Sequence, residues 1–182
     1  MSIFLIRHGE TALNVSRVVQ PADTPLSARG IEQAEALATR LSQLGVTAIL
    51  SSDLPRALRT AQAIAQQTGL SIQTTELLRE RNFGDLRGQS YDGLAFDLLT
   101  LVEAPPGGES FAEFEQRAAK AFTELVRVRE TTGGTLAVVT HGLVLRALLA
   151  GHVQRPAGRA EPGRASPRRG CHPVFREHAP VP

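Results

Sequence analysis

Apolar residues fall into two alternating patterns between residues 2 and 151. Residues 2–7, Val46–Leu50 and Leu136–Thr140 are short, nearly unbroken apolar runs. They are too short and too uniform for surface helices and predict buried strands, with Ser71–Thr75 a weaker fourth. Helical spacing fills the gaps. Ser27 caps a helix through about Leu44, with Ile31, Ala34, Leu37, Ala38, Leu41 and Leu44 on one face and Gly45 as its stop. Asp53 and Pro55 start a second, faced by Leu58, Ala61, Ile64 and Ala65 and ended by Gly69. Ser110 and Glu113 stand at capping-box spacing and open a third to about Glu130, with Phe111, Phe114, Ala118, Ala121, Phe122 and Leu125 inward. Val144–Ala150 begins a fourth. Residues 14–25 read as a loop and residues 76–108 as mixed, broken at Pro105-Pro106-Gly107-Gly108.

Strands alternating with helices of this length require crossover connections, which are right-handed. The expected fold class is α/β: three layers, doubly wound, a mostly parallel sheet with helices on both faces. Residues 1–151 form one domain in this reading. Residues 152–182 break the pattern with six Pro and six Arg and no apolar period, predicting a disordered tail. Such a composition is what a shifted frame of a G+C-rich gene would encode, a reading that sequencing the locus tests.

Charge sharpens that division. The tail carries six Arg against two Glu, a net +4, while the whole chain is +2, which leaves residues 1–151 at about −2. A basic tail binds nucleic acid only nonspecifically. With seven Phe, one Tyr and no Trp, the body lacks the aromatic platforms of single-strand binders, so no specific nucleic acid partner is expected. Cys171 stands alone, which excludes an intramolecular disulfide. No signal-peptide pattern and no run of ~20 apolar residues is present, so the expectation is a cytoplasmic protein without a membrane partner.

The chemistry sits at strand ends. Arg7-His8-Gly9-Glu10 follows the first strand and Thr140-His141-Gly142 closes the last. In an open α/β sheet, ligands bind at the carboxyl ends of strands. Arg7 and Arg56, with His8 and His141, would form a cationic pocket suited to a tetrahedral dianion, because guanidinium forks match phosphate oxygens. Gly9 and Gly142 would let backbone N–H groups approach that anion. A metal site is the rival use of paired histidines, disfavoured by the adjacent guanidinium and by the absence of zinc-ligand spacing. The chain also lacks the Gly-x-Ser-x-Gly elbow of a serine hydrolase.

Arg7-His8-Gly9-Glu10-Thr11 with Asn14, Ser51–Ala57 with Thr60-Ala61, Leu78–Gly84, Gly107–Ser110 and Thr140-His141-Gly142 together resemble the histidine phosphatase superfamily, which includes the cofactor-dependent phosphoglycerate mutases. The match covers residues 2–151 in order. The resemblance implies a phosphomonoester hydrolase with His8 as nucleophile and Arg7, Arg56 and His141 as the phosphoryl contacts. It further implies Asn14 and Gly142 as phosphate-binding positions, Glu80 as proton donor and later base, and Glu10 and Thr11 as supports. It implies no metal and no cofactor, and a small phosphorylated metabolite as substrate.

The chain departs from that pattern in two respects: Pro21 follows Gln20 where relatives usually carry Gly, and after Gly151 the chain changes character where relatives continue into further sheet and helix. The alternative activity is mutase-type phosphoryl transfer, and a third reading is a non-catalytic binder of phosphorylated ligands. Mutases shield the phosphohistidine with a long insertion before the second histidine. Only 60 residues separate Glu80 from His141, which favours an open site and hydrolysis.

Overall fold

The computed structural model describes residues 2–152. Four strands, β1 (Ile3–Arg7), β2 (Val46–Ser52), β3 (Ile72–Thr75) and β4 (Thr135–Thr140), form one sheet in the order β1-β4-β2-β3. Every described pairing within this sheet is parallel. The helices are α1 (Ala12–Val15), α2 (Ala28–Ser42), α3 (Pro55–Thr68), α4 (Phe111–Thr132) and α5 (Gly142–His152).

Side chains on successive strand positions point to opposite faces, and β4 shows the consequence. Ala137 and Val139 pack with Phe4, Ile6 and Ile49 against Ala34, Ala38 and Leu41 of α2 and Ala57, Ala61 and Ile64 of α3. Leu136 and Val138 pack on the other side with Leu50 against Phe114, Ala121, Leu125 and Val128 of α4 and Val144 and Leu148 of α5. Helices therefore cover both faces, and the three-layer, parallel α/β architecture is the one the pattern predicts. The chain steps outward from β2 to β3 beneath α3, then returns under α4 to insert β4 between β1 and β2. That insertion brings two strand ends of distant sequence side by side.

Local signals account for most boundaries. Ser27 Oγ accepts from Gly30 N at 3.0 Å to start α2, and Ser110 and Glu113 complete a reciprocal capping box for α4. Pro55 occupies the first turn of α3, and Gly69, at φ 71°, ends it in the left-handed conformation. Several expectations need correction. Helix α2 stops at Ser42, short of Leu44, with Gln43 as its cap. Asp53 does not cap α3, whose cap is Leu54; its carboxylate is taken by Arg79 instead. Ala57, not Leu58, is the buried first-turn residue of that helix. Phe111 is 37% exposed because it lies under the Arg81 guanidinium, 5.6 Å from ring centroid to Cζ, rather than in the core.

Residues 14–25 are not wholly irregular. Thr11 caps the single turn α1, its hydroxyl accepting from Asn14 N, which places Asn14 and Val15 in a helix. Of the stretch from 152 onward, only His152 is described, at the end of α5; the expectation for the rest of the tail lies outside the described residues.

Candidate active site

Register explains why the two histidines meet. Arg7 is paired with Thr140 across β1 and β4, and the His8 amide donates to the Thr140 carbonyl at 3.0 Å. His8 and His141 are thus the next rung on adjacent strands, which run about 4.8 Å apart. Their ring centroids lie 5.1 Å apart with planes tilted by 56°.

His8 is 6% exposed. Its Nδ1 lies 2.7 Å from the Gly9 carbonyl, which makes Nδ1 the protonated nitrogen and leaves Nε2 its lone pair. Burial, then Arg56 and Arg7, push its pKa down to about 3, so the ring is neutral at physiological pH. His141 is fully enclosed; burial first, then His8, Arg56 and Arg7, hold its pKa well below the usual histidine value. Its Nε2 lies 2.9 Å from Ser52 Oγ, and its Nδ1 is buried without a partner.

Arg56, at the second position of α3, is 2% exposed. One terminal nitrogen donates to the carbonyls of Pro21 and Ala22 at 3.2 and 3.3 Å, whereas Nε is buried without a partner. Burial lowers its pKa to about 10, partly offset by Glu80, so it remains cationic. The Pro21 loop is therefore fastened directly to this arginine. Arg7 is exposed at the mouth.

Glu80 follows a short 3-10 turn, Glu76–Leu78. Its two carboxyl oxygens accept from Arg81 N at 3.1 Å and from Leu143 N, in the first turn of α5, at 3.2 Å. Enclosure nevertheless wins over these bonds and nearby arginines, and its pKa is raised. A side chain at Gly142 would meet Arg7 Nε at 3.7 Å and Glu80 Oε2 at 3.8 Å, so this glycine lies between the two. Asn14 is half-buried in α1; its backbone is held by Thr11, whose hydroxyl also donates to Gln20 Oε1 at 2.8 Å.

The Gly9 expectation needs correction. Its amide is occupied, donating to Thr60 Oγ1 at 3.2 Å, and a Cβ there would strike the Gly30 carbonyl. Glycine is required at Gly9 by the crossing of α2, not by an anion. A Cβ at Gly30 would in turn strike the Glu10 carbonyl, while Glu10 holds the start of α2 through Ser27 Oγ at 3.0 Å. Gly30→Ala is therefore expected to lower stability by about 1–3 kcal/mol, the scale of overpacking at a backbone contact. Thermal denaturation checks this, and an unchanged Tm would show that the crossing relaxes.

Several supporting residues carried no signal of their own in the sequence. Arg117 of α4 donates to the carbonyls of Leu77 at 2.9 Å and Arg79 at 2.7 Å and pairs with Glu109, which accepts from Asn82 N at 2.8 Å. Arg79 reaches back to Asp53 at the end of β2, holding that carboxyl pKa down. Thr140 Oγ1 donates to the Leu78 carbonyl at 2.8 Å. Together they tie the segment bearing Glu80 to α4 and to the ends of β2 and β4. Tyr91, with Arg17 Cζ 5.9 Å from its ring centroid, feels Glu80: burial and that carboxylate push its hydroxyl pKa up. Among the described residues, no group of three or more His, Cys, Asp or Glu could hold a metal ion.

A family model for the histidine phosphatase superfamily (branch 1) matches residues 3–167. The chain belongs to the histidine phosphatase superfamily. It is 36% identical over 167 residues to the probable phosphoglycerate mutase GpmB of Escherichia fergusonii, covering 86% of this chain and 77% of that protein. The native structure of mycobacterial glucosyl-3-phosphoglycerate phosphatase Rv2419c superposes with a TM-score of 0.71 at 34% identity, over 82% of this chain and 77% of that one. The alpha-ribazole phosphatase of Shigella flexneri gives 0.71 at 33% identity, over 82% and 78%. Histidine phosphatases are phosphoric monoester hydrolases that need no metal, and a phosphohistidine intermediate is typical of them. The matched region runs past Gly151, where the apolar pattern stops. No described helix is long and apolar enough to cross a membrane.

Proposed function

We propose that this histidine phosphatase hydrolyses small phosphate monoesters through a phosphohistidine at His8. One arrangement supports the reading above all: His8, its Nε2 lone pair left free by the bond from Nδ1 to the Gly9 carbonyl, lies 5.1 Å ring to ring from His141, whose buried Nδ1 lacks a protein partner, as does Arg56 Nε. A phosphoryl group held between these side chains would meet the His8 lone pair and accept from the free Nε–H of Arg56.

In the first step His8 Nε2 attacks phosphorus, the P–O ester bond breaks, and Glu80 gives its proton to the departing oxygen. Arg7, Arg56 and His141, with Asn14 and the Gly142 end of α5, stabilise charge on the equatorial oxygens. In the second step Glu80 takes a proton from water, water attacks phosphorus, and the N–P bond breaks to release inorganic phosphate. The Gly9 carbonyl keeps its hydrogen bond from Nδ1 throughout. Residues 1–151 carry all of these groups and are proposed as the catalytic domain. The relatives' names point to phosphorylated sugars, glycerates or nucleotide-like metabolites as the substrate class. The short path from Glu80 to His141, largely 3-10 turns and α4, favours hydrolysis over mutase transfer.

Glu80→Gln tests the proton donor. Alkyl phosphates, whose leaving oxygen is strongly basic, are expected to slow by at least about tenfold more than aryl phosphates. Glu76→Gln is the control, because Glu76 is exposed and paired with Arg79. Equal slowing of both substrate classes by Glu80→Gln would remove Glu80 from this role.

The pH profile should follow the two shifted groups. His8 must be neutral, so its limb rises with pH through about 3. Glu80 must be protonated in the first step, so activity falls as pH passes its raised pKa. Activity on alkyl phosphates is thus expected to fall on a basic limb that lies above the ordinary carboxylate range, and Glu80→Gln should flatten that limb. A basic limb unchanged in that variant would assign it to another group.

A further inference from the structure

The hydroxyl of Ser52, the last residue of β2, takes no part in these steps and is 0% exposed. Its oxygen accepts from Leu54 N at 3.3 Å and lies 2.9 Å from His141 Nε2. A serine hydroxyl has one proton and two lone pairs. The neutral imidazole of His141 has one N–H, on either Nδ1 or Nε2.

Two assignments are open, and they leave different groups unpaired. With the proton on Nε2, His141 would donate to Ser52 Oγ. The serine's own proton would then have no acceptor among the described residues, and His141 Nδ1 would turn a bare lone pair toward phosphoryl oxygens, which repel it. With the proton on Nδ1, Ser52 donates to Nε2 and accepts from Leu54 N. The one group then left unpaired is the Nδ1–H of His141, buried 5.1 Å, ring to ring, from His8. Leaving a buried donor unpaired is unfavourable unless a ligand fills it.

We propose that Ser52 is a positioning residue that holds His141 in its Nδ1–H form, so that the second histidine serves the reaction as a hydrogen-bond donor to the phosphoryl oxygen. This rests on the reading of His141 as a phosphoryl contact. The parallel register puts Ser52 at the right place, since Ser51 lies opposite Val139 and the two strand ends advance together.

The experiment is long-range 15N–1H NMR of the full chain labelled at histidine, which has five histidines, with the His141 signal assigned by its loss in His141→Gln. Wild type is expected to show His141 protonated at Nδ1. Ser52→Ala should move the proton toward Nε2 and lower kcat on p-nitrophenyl phosphate by about tenfold or more, with vanadate inhibition weakened in parallel, as for a misdirected donor. Ser52→Thr, which keeps the hydroxyl, should restore the Nδ1–H form. An Nε2–H tautomer in wild type, or Ser52→Ala with an unchanged tautomer, overturns the proposal even if His141→Gln is inactive. Should Ser52→Ala fail to fold, the wild-type tautomer alone decides. Full activity of His141→Gln would instead overturn the reading on which it rests.

Discussion

His8→Ala is expected to reduce phosphate release to below about one hundredth of wild type, because it removes the atom that forms the covalent intermediate. The neighbouring guanidinium groups have no lone pair for that attack, and both carboxyl oxygens of Glu80 are engaged by the amides of Arg81 and Leu143. Wild type briefly mixed with labelled substrate should yield a phosphoenzyme that is stable to alkali and labile to acid, the behaviour of an N–P bond. The variant should yield none. His8 stands at a strand end and belongs to neither of the two large core clusters, so the fold should persist. The variant should also resist acid better. His8 is neutral when folded down to pH about 3, whereas an unfolded histidine gains its proton near 6.5. The unfolded state therefore binds more protons between those values, and wild-type stability falls as pH drops through that window. Removing the group removes its share of that loss. A variant retaining more than about a hundredth of the activity would rule out His8 as nucleophile.

Arg56→Ala is expected to weaken transition-state binding by about 2–4 kcal/mol, the scale of losing a donor aimed at developing charge in an enclosed site. Two losses combine in this variant. The buried Nε donor toward the phosphoryl group disappears, and so does the link from the guanidinium to the Pro21 and Ala22 carbonyls. Lysine would restore a point charge without the fork and should recover only part of the rate. Measuring kcat/KM and vanadate inhibition for both variants separates the effects: lost charge weakens both, whereas a displaced Pro21 loop changes KM between substrates. Equal activity of Arg56→Lys and wild type would show that the fork is not used.

The alternation of apolar runs and helical faces was enough to read the α/β class, the parallel sheet and the four long helices, because those elements obey local rules of period and capping. Ser110 with Glu113 and Pro55 could be placed from residue chemistry alone. Phe111 could not, since its fate depends on Arg81, thirty residues away in sequence and stacked on it in space. Asp53 likewise resembles a helix cap by sequence and is claimed by Arg79, which lies beyond α3 and β3 in the chain.

The candidate site divides in the same way. Arg7, His8, Arg56 and His141 are legible because each ends or follows a strand or stands in the first turn of a helix, and the carboxyl ends of strands in an α/β sheet lie together. Glu80 lies in a stretch without period, and only a family resemblance singled it out from Glu76. What encloses it is tertiary: Arg117 gathering the carbonyls before it, Thr140 holding Leu78, and the amide of Leu143 meeting its carboxylate. Gly9 shows the converse, a glycine that looks made for an anion and is required by the backbone of α2. Sequence by itself determined which residue types stand at the strand ends, because period and capping are local. The tertiary structure decided their protonation, their partners and which backbone groups remain free, because burial and hydrogen bonding depend on elements 20 to 90 residues apart, such as Gly9 with Gly30 and Ser52 with His141.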